Sequence, residues 1–125
     1  MEMINPRPHK KLKVWQSAID LVVKVYKRTE QFPRSEEFGL KSQLRRAAIS
    51  VPSNISEGLT RKTPKDKTHF LNIAQGSLSE IDTQAEISVR LGYFSQDEFV
   101  DLETDLVKVQ MLLSGLSRSI RESQS

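Results

Sequence analysis

The sequence predicts an all-α protein, an up-down-up-down antiparallel four-helix bundle. Three observations predict it. Phe99, Leu102, Leu106, Val109, Leu113, Leu116 and Ile120 alternate in steps of three and four, the a/d seam of a left-handed bundle. Thr63-Pro64-Lys65-Asp66 and Ser95-Gln96-Asp97-Glu98 both carry strong helix-start chemistry. The apolar-periodic segments are separated by connections of only about four to six residues, which makes sequence neighbours pack antiparallel. No stretch alternates with period two, and no glycine-rich loop follows a strand-like run.

Residues 1–11, MEMINPRPHKK, hold two prolines and no periodicity: an irregular basic arm ahead of a single bundle domain over 12–122. The first helix is expected over 13–31. Leu12, Trp15, Ile19, Val22, Tyr26 and Thr29 form its stripe, widened by Ala18 and Val25, which places Trp15 in the core. It stops before Phe32-Pro33, because the residue preceding a proline is pushed out of the α region.

The second helix is expected over 36–57. It starts near Ser35, with Glu36 and Glu37 favouring the positive end of its dipole, and ends at Gly58 as a C′ residue. Leu40, Leu44, Ala48, Val51 and Ile55 make its stripe, and Pro52 sits inside it. The proline lacks the N–H that would bond the Ala48 carbonyl, at a cost of roughly 3 kcal/mol in an isolated helix. Ser50, Ser53, Asn54 and Ser56 surround it. Their small side chains let a neighbouring helix approach closely, and are expected to satisfy backbone groups that the proline frees.

Thr63 as N-cap with Pro64 at N1 opens the third helix, expected over 64–91, with Leu71, Ala74, Leu78, Ile81, Ala85 and Ser88 as its core stripe and Gly92 as its end. The fourth is expected over 96–121. Ser95 and Glu98 form a capping box, and Phe94 is placed to staple onto Phe99.

Composition narrows the function. The chain has 125 residues and 37% hydrophobic content, which suggests a thin core or one completed by a partner subunit. There are no cysteines, hence no disulfide or thiol chemistry. No apolar run approaches the ~18–20 residues of a membrane span, and the N-terminus lacks a signal-peptide core, so a cytoplasmic location is expected and no membrane partner. No Glu-x-x-His pair supports a di-metal site, and His9 and His69 read as surface residues. Nucleophile-elbow, P-loop and dinucleotide motifs are absent. The expectation is a protein that is not an enzyme and uses no cofactor or metal.

What remains is charge. The net +3 hides 15 Lys/Arg against 7 Asp/Glu in residues 1–67 and 4 against 9 in residues 68–125. Lys41 and Arg45 share one helical face, Arg46 lies about 100° further round, and Arg61, Lys62, Lys65 and Lys67 cluster at the junction of the second and third helices. Two readings stay open. Lys41, Arg45, Arg46, Arg61, Lys62 and Lys65 bind an RNA or DNA backbone. Alternatively, the basic surface mates with acids such as Asp97, Glu98, Asp101, Glu103 and Asp105 on a neighbouring subunit or a protein partner. A third idea, a polar site around Asn54 and Glu57, requires a concave pocket there.

Several segments carry a family likeness: Trp15-Gln16 with Ala18, Phe32-Pro33, Gln43-Leu44-Arg45-Arg46-Ala47-Ala48, Ser50-Val51-Pro52-Ser53-Asn54-Ile55-Ser56-Glu57-Gly58, Phe70-Leu71 with Ile73-Ala74, and Gly76-Ser77-Leu78 with Glu80. Over about residues 12–120 the chain resembles the 23S rRNA-intervening-sequence proteins, some of them encoded within insertions in bacterial 23S rRNA genes. Ser56 departs from that pattern, where alanine is expected. The resemblance implies a four-helix bundle that assembles as a homopentameric ring. The same fold includes the accessory protein of diversity-generating retroelements, which implies a basic surface for nucleic acid. Arg45 and Arg46 match the motif, with no catalytic role to carry over.

Overall fold

The computed structural model describes residues 8–123. Pro8–Lys11 forms a single 3-10 turn, so the expected irregular arm is ordered over its last four residues, and its first seven lie outside the described residues. Four α-helices follow: α1 (Lys13–Thr29), α2 (Leu40–Leu59), α3 (Pro64–Arg90) and α4 (Gln96–Glu122). Consecutive helices run antiparallel and α4 closes back on α1, with no strand among the described residues. This is the all-α four-helix bundle that the periodicity predicts.

Local chemistry sets the ends of α3 and α4. The Asp66 N–H donates to Thr63 Oγ1 at 3.1 Å, and Pro64 opens the first turn of α3, where its missing N–H costs nothing. Gly92, with φ of 83°, lets the chain turn back so that the Tyr93 N–H reaches the Ser88 carbonyl at 2.8 Å. The Ser95–Glu98 capping box is complete, its two bonds measuring 3.1 and 2.9 Å. Phe94 is buried and meets Phe32 edge-on at 5.2 Å, tying the α3–α4 turn to the segment after α1.

The α2 boundaries differ from expectation at both ends. Arg34–Glu36 is a separate 3-10 turn, and the helix begins at Leu40 after Gly39. The Glu36 carboxylate explains the shift: one oxygen accepts the Leu40 N–H at 3.0 Å, capping from outside the helix, and the other accepts the Tyr93 hydroxyl at 3.2 Å. Gly58 lies within α2 and is not the left-handed C′ residue. A Cβ there would sit 3.0 Å from the Lys67 carbonyl oxygen and 3.1 Å from Phe70 Cβ, so a side chain fits only if α3 gives by a few tenths of an ångström, and glycine suits its closeness.

That closeness defines the α2–α3 seam. Ala47, Ala48, Val51 and Ile55 meet Leu71, Ala74, Leu78 and Ile81 in the core. One polar chain crosses it. Asn54 Nδ2 donates to Ser50 Oγ at 2.9 Å, the Ser50 and Ser77 hydroxyls are 2.7 Å apart, and Ser77 Oγ donates to the Ile73 carbonyl at 3.2 Å. A single direction of donation, Asn54 to Ser50 to Ser77 to Ile73, uses every proton once.

α2 passes through Pro52 without interruption. The flanking polar side chains do not rescue the Ala48 carbonyl: Asn54 donates to the Ser50 carbonyl and Ser56 to the Ser53 carbonyl. The proline's compensation is apolar instead, its buried ring lining the α1–α2 groove with Trp15, Ile19 and Val22.

α1 is rotated from the expected stripe. Val14, Ala18, Leu21, Val25 and Thr29 are buried, whereas Trp15, Ile19 and Val22 are only partly covered and Tyr26 is exposed. The helix carries two adjacent apolar stripes, and the one with smaller residues faces the core.

Substituting Gly58→Ala is expected to destabilise the fold by about 1–3 kcal/mol through overpacking. Gly76→Ala, on an exposed helix face with nothing within 4 Å of a new Cβ, is expected to stabilise it by about 0.5–1 kcal/mol. Urea unfolding of the two variants checks both, and a neutral Gly58→Ala contradicts the seam geometry.

Candidate nucleic-acid interface

The six basic residues singled out in the sequence do not form one surface. Lys41, Arg45 and Arg46 lie on the first two turns of α2, while Arg61, Lys62 and Lys65 lie beyond its far end and at the start of α3. Sixteen residues separate Arg45 from Arg61, about 24 Å at 1.5 Å per helical residue.

Three of the six are engaged within the chain. Arg45 reaches across to the C-terminus of α1, where Nε donates to Thr29 Oγ1 at 2.9 Å and Nη2 to the Tyr26 carbonyl at 3.1 Å, with the guanidinium 4.3 Å from the Tyr26 ring centre. Thr29 in turn donates to the Val25 carbonyl at 2.8 Å. Arg45 is thus a tertiary cap on α1, satisfying a carbonyl that the helix end leaves open. Lys41 pairs with Glu37 at 3.1 Å. Arg61 pairs with Glu57 at 3.3 Å and lies 4.7 Å from the centre of the Phe70 ring. Arg46, Lys62 and Lys65 are exposed and form no ion pair with a described residue.

The acids divide similarly. Lys24 contacts Asp101 at 3.0 Å and Asp105 at 2.6 Å, and Arg28 contacts Asp101 at 2.8 Å and Glu98 at 3.5 Å. Three of the five acids considered for a neighbouring subunit are therefore matched inside the chain, across α1 and α4. Hydrogen bonds from Arg28 and Lys24 hold the Asp101 carboxyl below its ordinary pKa. Burial pulls the Lys24 ammonium down, but hydrogen bonds to Asp105 and Asp101 outweigh it and leave its pKa raised.

Neither Asn54 nor Glu57 lines any of the principal depressions among the described residues. Asn54 is committed to Ser50, and Glu57 to Arg61. The idea of a polar site there is set aside. The larger depressions, about 530 and 400 Å³, flank the first turns of α2 and share Phe38, Ser42 and Arg46. Among the described residues no cluster of His, Asp or Glu could hold a metal, and no helix is long and apolar enough to cross a membrane.

Two surface features escaped the sequence reading. Phe38 is 94% exposed in the turn before α2. Trp15, Ile19, Val22, Ile49 and Pro52 line an open groove of about 260 Å³ between α1 and α2, continued by exposed Tyr26. The only sequence signal for the groove is the second apolar stripe on α1, which periodicity alone assigns to the core.

A model of the 23S rRNA-intervening sequence protein family matches residues 10–115. The fold is similar to the crystal structure of a protein of unknown function from the S23 ribosomal protein family of Bacteroides thetaiotaomicron. The two share 22% identity with a TM-score of 0.75, covering 83% of this chain and 97% of that one. No curated protein matches.

Arg45→Met is expected to lower unfolding free energy by about 2 kcal/mol, because it removes two charge-assisted hydrogen bonds at the α1 terminus. Arg46→Met is expected to change it by less than about 0.5 kcal/mol. Chemical denaturation distinguishes them, and equal effects contradict the capping role.

Proposed function

The chain belongs to the 23S rRNA-intervening sequence protein family, and from that premise we propose a non-enzymatic, oligomeric bundle that binds the backbone of RNA or DNA through its basic surface. One observation supports this reading above the rest. Glu98, Asp101 and Asp105 are matched by Lys24 and Arg28 within the chain, while Arg46, Lys62 and Lys65 stand exposed with no acid partner among the described residues. Three of the five acids considered for a neighbour's basic surface are thus already engaged, which favours an external polyanion over charge pairing between subunits. Lys41, Arg45 and Arg61 contribute less direct contact than their sequence positions suggest, since a phosphate must compete with their existing partners. No cofactor or metal is required, and a cytoplasmic location suits such a ligand.

A second reading concerns assembly. Monomeric proteins rarely expose contiguous apolar patches beyond a few hundred Å², and the Trp15–Ile19–Val22 stripe with Ile49 and Tyr26 favours burial against another copy of the chain. The family resemblance implies a homopentamer. In this reading the subunit contact is apolar, and the basic residues stay outside it.

Fluorescence anisotropy with a structured RNA is expected to show binding at low salt that weakens as salt rises, with a log–log slope of about −2 to −3 if three phosphates are neutralised per subunit. Absence of binding at low salt, or binding indifferent to salt, overturns the ligand reading. Light scattering after size exclusion is expected to give a multiple of the chain mass, and Ile19→Glu with Ile49→Glu to give the single chain. A monomeric wild type overturns the assembly reading.

A further inference from the structure

Antiparallel topology sorts charge along the bundle axis in a way that the linear sequence hides. The start of α1, the end of α2, the start of α3 and the end of α4 share one end of the bundle. Lys10 and Lys13 come from the first segment, Lys62 and Lys65 from the α2–α3 junction, and Arg118 and Arg121 from the last turns of α4. All six are exposed, and none forms an ion pair with a described residue. Arg118 and Arg121 belong to the half of the sequence that is acidic in sum, so no count by halves selects them. Among the described residues the acids near this end are Glu57, Asp66 and Glu122. Glu57 is paired with Arg61. At the opposite end Glu30, Glu36, Glu37, Asp97, Glu98 and Asp101 accompany the cations, so that end is mixed in sign.

Aromatic groups decide what kind of polyanion suits this end. Sequence-tolerant binding of single strands relies on open aromatic faces on which bases stack. Here Arg61 lies over Phe70, His69 meets the same ring edge-on at 5.1 Å, and Trp15, met by His9 at 5.1 Å, lines the apolar α1–α2 groove with Ile19 and Val22. A four-helix end measures about 20 Å across at 8–10 Å between helix axes. Cations on that scale can meet phosphate rows on both sides of a duplex groove about 6–12 Å wide.

We propose that this end of the bundle is a docking face for the phosphate backbone of a double-stranded nucleic acid, with Lys10, Lys13, Lys62, Lys65, Arg118 and Arg121 as its contacts. The proposal rests on the nucleic-acid reading above and names its site and the form of its ligand. Binding is shape- and charge-driven, with little base readout. It also places Arg46 outside the face.

The test is anisotropy with the full chain and three probes of one sequence: an RNA duplex, a DNA duplex and the single strand. The wild type is expected to bind a duplex roughly tenfold more tightly than the strand. Both duplexes binding alike points to the backbone itself, and an RNA-only preference to A-form geometry; either supports a duplex face. Lys62→Glu with Lys65→Glu, and Arg118→Glu with Arg121→Glu, are each expected to weaken duplex binding roughly tenfold. The milder Lys62→Gln with Lys65→Gln is expected to lower the salt slope by about two while circular dichroism stays unchanged. Lys27→Glu with Arg34→Glu, at the opposite end, is expected to have less than about a threefold effect. Equal loss in that pair, or a single strand bound as tightly as the duplex, overturns the face while the nucleic-acid reading survives. Failure of the wild type to bind any probe at low salt removes that reading itself.

Discussion

Where Gly58 passes the start of α3, a methyl group would press to 3.0 Å on the Lys67 carbonyl oxygen, and this close approach governs much of the rest of the bundle. Small residues along α2 allow α3 to come near, and the proximity brings Ser50 and Ser77 within 2.7 Å. The hydroxyl chain from Asn54 to the Ile73 carbonyl then favours one register of the two helices, since a shift of one turn would leave the buried Ser77 hydroxyl without Ser50. With α2 held against α3, its other side is left for α1. Pro52 fits there because its ring offers apolar surface to Trp15, Ile19 and Val22, which offsets the hydrogen bond lost at the Ala48 carbonyl.

The same register determines what the charges can do. Arg45 reaches the α1 terminus only because α1 ends beside the second turn of α2, and Lys67 reaches the Leu59 carbonyl at 3.2 Å only because α3 begins beside the end of α2. Across the α1–α4 contact, Lys24 and Arg28 take up Asp101, Asp105 and Glu98. These pairs are partly exposed and each contributes modestly to stability. They also neutralise much of the acidic charge at the start of α4, at the end of the bundle opposite Lys62 and Lys65.

Core patterns were legible in the sequence wherever the signal was local. The α3 stripe from Leu71 to Ser88 is buried as spacing predicts, and so is the α4 seam from Phe99 to Leu113. Both helix starts are set by side chains three residues from the backbone group they bond. α1 was misjudged because two apolar stripes lie side by side, and periodicity cannot say which of them the bundle buries. The start of α2 was misjudged because its cap comes from Glu36, in a separate turn, and not from the residue adjoining the helix. Gly58 reads as a helix terminator in sequence, since only the position of α3 reveals the close approach. The basic residues were the hardest to interpret. Arg45 and Arg46 are adjacent in sequence, yet one caps a neighbouring helix and the other forms no ion pair with a described residue, a difference set by about 100° of rotation. The gathering of Lys13, Lys65 and Arg121 at one end depends on topology alone.

The fold gathers cations that have no acid partner among the described residues at the end of the bundle formed by the α2–α3 junction. Lysine footprinting tests this most directly: amine labelling of the full chain with and without a nucleic-acid duplex at low salt, read by mass spectrometry. Protection of Lys13, Lys62 and Lys65 is expected on binding, with Lys27 and Lys41 labelled as before. Protection of Lys27 and Lys41 with Lys62 and Lys65 unchanged would contradict it.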